Sequence, residues 1–182
     1  MFEEITFDKA LKIAEKKLSK ELGMKCVVEV YFTVNNDILN AIKRITDLKF
    51  REELRYDYEE ILNYSKMSGF LLILIKSGNE PVGMLFGYKY EEGGYFLDVL
   101  ASIIEGKGVG RTLITLLIVY CYEKGHSLLT LFTEEVDEKG RQLRRYYEKM
   151  GFRYLYTGVG KGDVMEINFD ANKVKQLVNR YL

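Results

Sequence analysis

Three glycines alternate in the run EGKGVGRT, at Gly106, Gly108 and Gly110, and an almost wholly apolar stretch, residues 113–122, follows at once. No other feature constrains the fold as much. The apolar stretch is too short to span a bilayer and must therefore be buried in protein. Its β-branched residues suit a strand, but its length and glycine-rich start favour a buried helix. Read as strand, loop and helix, LDVLASIIEGKGVGRTLITLL leaves backbone N–H groups free from roughly Lys107 onward, at the positive end of the helix dipole. Glycines let an anion approach that backbone closely, and Lys107 and Arg111 add positive charge. A phosphate cradle and a plain tight turn are equally compatible with the glycines alone.

The 182 residues suffice for one domain with a sizeable core. Twenty-seven basic and 27 acidic side chains balance, so no global field draws in nucleic acid or an acidic membrane. Residues 1–22 are charged throughout, unlike a secretory signal, and the expected compartment is the cytoplasm. Cys26 and Cys121 lie in apolar segments and read as buried free thiols. One histidine and no Cys/His pair argue against a metal site. His126, after Lys124-Gly125, reads as a surface or capping residue.

No repeat or linker interrupts the chain. Residues 8–22 have the spacing of an amphipathic helix with Gly23 as its stop. CVVEVYFTV reads as a strand, and NNDILNAIKRITDL and YDYEEILNYSKM as helices. FLLILIK, PVGMLFGYKY and GGYFLDVLAS read as three meandering strands, with turns at residues 77–80 and 91–94. After the buried helix come a strand, LLTLFTEE, and a helix, EKGRQLRRYYEKM, stopped by Gly151. The strand pair FRYLYT and DVMEINF and a helix at residues 172–181 complete the order. The pattern predicts an α/β domain with a sheet partly antiparallel and partly parallel.

Two phosphate motifs fail. A P-loop, G-x-x-x-x-G-K-[ST], requires glycine where Arg111 stands. A dinucleotide fingerprint, G-x-G-x-x-G, requires its third glycine one residue beyond Gly110. Residues 105–110, EGKGVG, instead resemble the [RQ]-x-x-G-x-[GA] pattern of the GNAT acetyltransferases. RRYYEKMGF resembles that family's second motif, with Tyr147 in the tyrosine position. VNNDILNAI and EPVGMLFG are similar to its first strand–helix junction and its second hairpin, so the resemblance spans about residues 25–169. It departs at Glu105, where Arg or Gln is usual, and at Gly140, where many members carry Asn.

The resemblance implies a single GNAT-like domain over residues 1–182, with a mixed sheet of about six or seven strands flanked by helices. Residues 1–23 and the helix at 170–182 would be additions. It implies acetyl-CoA as co-substrate, no metal, and an acceptor that is a small-molecule amine or a protein amino group. Neither nucleic acid nor membrane is expected as a partner, and a homodimer is left open. Val99, Leu100 and Ser102 would flank the pantetheine arm, with the Leu100 N–H on the thioester carbonyl. Amides of Gly106, Lys107, Gly108, Val109, Gly110, Arg111 and Thr112 would hold the pyrophosphate. Tyr147, and not its neighbour Tyr146 about 100° away around the helix, would face the cofactor and donate a proton to sulfur. Glu135 would be the base, with Glu134, Asp98 or a water chain as alternatives. Residues 49–60 hold Glu52, Glu53, Asp57, Glu59 and Glu60, either a solvated helix face or an attraction for a cationic amine. The alternative function is a domain of this fold that holds acyl-CoA or docks a partner without turnover.

Overall fold

The computed structural model describes residues 5–90, 93–160 and 162–182. Its elements run α1 (Phe7–Leu22), β1 (Cys26–Tyr31), α2 (Asn36–Lys49), a 3₁₀ turn (Glu52–Leu54), α3 (Tyr58–Ser65), β2 (Leu71–Ser77), β3 (Glu80–Lys89) and β4 (Tyr95–Ser102). Then come α4 (Val109–Glu123), β5 (Leu128–Thr133), α5 (Leu143–Lys149), β6 (Arg153–Gly158), β7 (Gly162–Asn168) and α6 (Ala171–Tyr181). The first half of the expected turn at residues 91–94 lies outside the described residues. Polar side chains cap α2 and α3. Asn35 Oδ1 caps α2 by accepting from the Ile38 N–H at 2.9 Å, and Asp57 and Glu60 form a reciprocal capping box on α3. At the far end of α4 the His126 N–H reaches the Cys121 carbonyl at 2.8 Å around Gly125, whose φ is +82°, so the histidine is a capping residue.

The seven strands form one sheet in the order β1-β2-β3-β4-β5-β7-β6, and the sheet is mixed, as the α/β pattern predicts. Only β4 and β5 are parallel, and they pair over just three positions, Tyr95–Leu129 to Leu97–Leu131. The apolar run of β2 shows why the sheet is covered on both faces. Leu71, Ile73 and Ile75 enter one core with α1, α4 and α6, while Leu72 and Leu74 enter another with α2 and α3. Segment 109–123 is indeed a helix, buried from Val109 to Cys121 on nearly every side because the sheet, α1 and α6 surround it. Thr112 lies inside that packing: its Oγ1 accepts from Lys17 Nζ of α1 at 3.2 Å, and the same ammonium donates to the Tyr181 carbonyl of α6 at 2.6 Å. Cys26 and Cys121 are buried and unpaired.

Strand β1 ends at Tyr31, three residues short of the expected Val34, and one helix start is off by more. The helix read from Glu138 starts at Leu143. The cause is Asp137, whose carboxylate accepts the Lys139 and Arg141 N–H groups at 3.0 and 2.8 Å and the Arg141 guanidinium at 2.5 Å. That local turn, with Gly140 at φ +75°, competes with helix initiation.

A break in register matters most for the site. Phe86 of β3 pairs with Val99, but Gly87 pairs with Leu97, so Asp98 is the extra residue of a β-bulge. Gly87 permits it: a Cβ there would lie 2.2 Å from the Phe96 carbonyl oxygen.

Candidate active site

Beyond Leu97 and Leu131 the strands β4 and β5 part, and a cavity of about 750 Å³ opens between them. One end is built by the glycine loop and the start of α4. Helix α4 begins at Val109 with Gly108 as its N-cap, at φ +78°, and no side chain caps it. The first-turn amides of Val109, Gly110 and Arg111 therefore have no intrahelical partner. Gly106, Gly108, Val109, Gly110 and Arg111 all line this end. Arg111 Nε is buried without a hydrogen-bond partner among the described residues, beside the Tyr146 ring at 5.6 Å. An orphaned guanidinium nitrogen next to uncapped amides is a donor set suited to a diphosphate. Two residues expected here are not in the cavity lining. The Thr112 N–H already bonds the Gly108 carbonyl at 3.0 Å, and its side chain points to α1 and α6. Lys107 is exposed and off the cavity.

Val99, Leu100 and Ser102 line the middle. The Val99 side chain packs in the α2–α3 core, and the Ser102 hydroxyl closes the loop by donating to the Ile104 carbonyl at 2.6 Å. Past Leu97 this edge of β4 has no ladder partner on β5, which leaves backbone groups for a ligand.

Glu105 sits at the rim in an ion-pair cluster that the motif did not foretell. Its Oε1 lies 2.5 Å from Lys49 Nζ, 3.0 Å from Arg141 Nη1 and 3.8 Å from Lys139 Nζ. The Lys49 ammonium, then Arg141 and Lys139, hold the Glu105 carboxyl below its ordinary range. The unusual carboxylate is thus engaged by three cations.

Both tyrosines of α5 line the cavity, which corrects the expectation that only Tyr147 faces it. The Tyr146 hydroxyl lies 2.7 Å from where a Gly110 Cβ would stand, so that glycine is also what admits the phenol. Burial pushes the Tyr146 phenol up to about 12, and burial pushes Tyr147 up as well. The Tyr147 hydroxyl makes no hydrogen bond among the described residues, and the ring meets Phe152 edge-on at 5.5 Å.

The carboxylates sort differently from the sequence reading. Strand β5 ends at Thr133, and Glu135 is exposed outside the cavity, paired with Arg144 at 3.4 Å. Glu134, the alternative one residue earlier, does line the cavity but is bound to the Arg51 guanidinium. Asp98 lines it too, half-buried. Its two oxygens accept the Tyr56 and Tyr88 hydroxyls at 2.5 Å each. Burial raises the Asp98 carboxyl above its usual range, and the two tyrosine hydrogen bonds only partly offset this. Tyr56, Tyr88, Lys49, Arg51 and Arg141 carried no motif in the sequence. Only the bulge, set by a glycine on another strand, joins the tyrosines to Asp98. The acidic side chains of residues 49–60 stay out of the cavity. Asp57 and Glu60 cap α3 and Glu53 pairs with Arg51 at 2.8 Å, while Phe50, Arg51, Leu54 and Tyr56 form the wall.

Solved structures share this architecture. The PaiA N-acetyltransferase of Thermoplasma acidophilum, in complex with coenzyme A, superposes with a TM-score of 0.60 at 17% identity, over 78% of this chain and 99% of that one. The aminoglycoside 6'-N-acetyltransferase of Enterococcus faecium gives 0.61 at 16% identity, over 78% and 93%. The ribosomal-protein-S18-alanine N-acetyltransferase of Escherichia coli gives 0.61 at 14% identity, over 78% and 94%. No curated protein sequence matches the chain. The family model "Acetyltransferase (GNAT) family" matches residues 12–152, starting inside α1 and stopping short of β6. With the seven-stranded sheet parted between β4 and β5 and the glycine loop opening α4, the match makes this chain a member of the GNAT acetyltransferase family.

Proposed function

We propose that the chain transfers the acetyl group of acetyl-CoA to a primary amine, by direct attack of the amine. The observation that carries this reading is the cavity between the parted strands, lined both by uncapped α4 amides and by a half-buried carboxylate. When bound, acetyl-CoA supplies an acyl group activated as a thioester. The amides of Val109, Gly110 and Arg111 and the Arg111 guanidinium hold the diphosphate. The Leu100 N–H holds the carbonyl oxygen and favours negative charge on it.

Asp98 takes the proton from the acceptor ammonium, so that nitrogen has a lone pair when its bond to the acyl carbon forms. Burial favours that protonation, and the Tyr56 and Tyr88 hydroxyls fix the carboxylate. Glu135 lies outside the cavity, and Glu134 is engaged by Arg51, which leaves Asp98 as the lining carboxylate best placed for the role. Tyr147 stays neutral at pH 7 and holds its proton for the sulfur as the carbon–sulfur bond breaks. Two measurements test the reading. Acetyl-CoA should raise the melting temperature by mass action where equal ATP or NAD does much less. Free thiol should then appear when an amine panel is added. Absence of the acetyl-CoA shift at millimolar ligand overturns the proposal.

A further inference from the structure

We infer that the acceptor is a monoamine, with one primary ammonium seated at Asp98 and an uncharged apolar or aromatic body against Phe50, Leu54, Tyr56 and Phe132. The inference rests on the transfer reading above. It follows first from a charge inventory. Five carboxylates line the cavity: Asp98, Glu105, Glu134, Asp137 and Glu138. Glu105 is held by Lys49, Lys139 and Arg141, Glu134 by Arg51, and Asp137 by Arg141. Glu138 is exposed at the rim. Among the described residues, Asp98 is the only one of the five that is both withdrawn from solvent and without a cationic partner within 4.0 Å. Its two hydrogen bonds come from neutral phenols, so its charge is uncompensated. A carboxylate accepts at about four positions, and two remain for an ammonium.

The walls limit the rest of the molecule. The Tyr56 ring lies 5.2 Å from Tyr64, and Phe132 stands edge-on to Phe96 at 4.9 Å. Aromatic faces favour a cation close by and an apolar body beyond it. The further ammonium groups of a polyamine or an aminoglycoside would find the remaining withdrawn carboxylates already neutralised and would meet Arg51. A peptide would press its backbone amides against Phe50, Leu54 and Phe132, which offer no side-chain hydrogen-bonding group. An amino-acid carboxylate would have to displace Glu134 from Arg51.

The test is thiol release from acetyl-CoA with 2-phenylethylamine, hexylamine, spermidine, kanamycin and a short peptide with a free N-terminus. The two monoamines should exceed the other three in kcat/KM by about tenfold or more, the ratio worth about 1.4 kcal/mol. Asp98→Asn should lower monoamine kcat/KM on the order of 100-fold while the acetyl-CoA melting shift stays at the wild-type value. Leu54 is 44% exposed and tolerates a polar group. Leu54→Asp adds a second carboxylate to the wall and should move the spermidine-to-hexylamine ratio upward by roughly tenfold. Preference for spermidine, kanamycin or the peptide overturns the inference and leaves acetyl transfer standing. Acetyl-CoA binding with no amine acetylated overturns the inference and the transfer together, and no acetyl-CoA binding overturns the whole reading.

Discussion

Gly87→Ala tests whether the bulge at Asp98 is held by one missing Cβ. The new carbon would stand 2.2 Å from the Phe96 carbonyl oxygen, where ordinary contact begins near 3.4 Å, so β3 and β4 must open by about 1.2 Å there. Neither neighbour can yield cheaply. The oxygen is backbone, and the second contact, Tyr95 Cε1 at 2.9 Å, belongs to a ring 1% exposed and tied through its hydroxyl to the Gly69 carbonyl. Overpacking of this kind costs about 1–3 kcal/mol, and a backbone clash belongs at the upper end. With a urea slope of about 2 kcal/mol/M, a cost of ~3 kcal/mol lowers the unfolding midpoint by about 1.5 M. Asp98 moves with β4, so thiol release should fall as it does in Asp98→Asn. The α4 amides belong to the helix and not to the bulged strands, and acetyl-CoA should still raise the melting temperature. Gly83→Ala is the comparison. Its Cβ meets a side-chain methyl, Val109 Cγ1, at 2.8 Å, so the cost should be nearer ~1 kcal/mol and the damage should fall on acetyl-CoA binding. If Gly87→Ala keeps the wild-type midpoint and turnover, the bulge does not depend on Gly87 and the argument fails.

Three further expectations concern other parts of the cavity and its supports. Tyr147→Phe should lower turnover by about 10²–10⁴-fold with acetyl-CoA affinity unchanged, whereas Tyr146→Phe should not, and steady-state thiol release with parallel binding decides between the two lining phenols. Gly108→Val forces a β-branched residue to φ +78° at the N-cap of the uncapped helix, at about 1–2 kcal/mol, with its Cβ 3.8 Å from Glu21 Oε2. Acetyl-CoA affinity measured by calorimetry should drop at least about tenfold, and an unchanged affinity would make the loop a mere turn. Asp163 accepts Arg144 Nε at 2.7 Å and Thr157 Oγ1 at 2.8 Å, and Arg144 holds its carboxyl below the ordinary 3.8. The depressed folded-state value makes this stabilisation present above the unfolded value and lost as pH falls through the folded one. Asp163→Asn should therefore cost about 1.5–3 kcal/mol at pH 7, and the difference from wild type in urea unfolding should vanish well below pH 3.8.

The order of elements along the chain and the start of α4 were legible because their signals are local. A both-sided apolar run marks β2, and a glycine ladder before an apolar stretch marks α4. The acceptor end was not legible in the same way. Asp98 is one acid in a strand until Gly87 shifts the register. Glu135 reads as a strand-end carboxylate until β5 stops at Thr133 and Arg144 takes it outward. Glu105 breaks the motif on paper, yet its partners Lys49 and Arg141 lie 56 and 36 positions away in sequence. Asp137 looks like the approach to a helix and instead builds a turn from its own neighbours. These features depend on pairings between distant segments or on competition within a loop, and residue periodicity records neither.

The single ammonium of Lys17, joining Thr112 to the Tyr181 carbonyl, spans sequence separations of 95 and 164 positions. The glycine loop thus rests on a helix backed from two remote parts of the chain. In a chain growing at about 5–20 residues per second, α4 leaves the ribosome several seconds before α6 can cover it. During that interval the surface later hidden by Val174, Leu177 and Tyr181 is bare, on the most apolar helix of the fold. Completion of the packing behind the glycine loop, and of the diphosphate site proposed there, is then a late event in biogenesis, and the period before it is when the nascent chain is most exposed to aggregation or capture by chaperones.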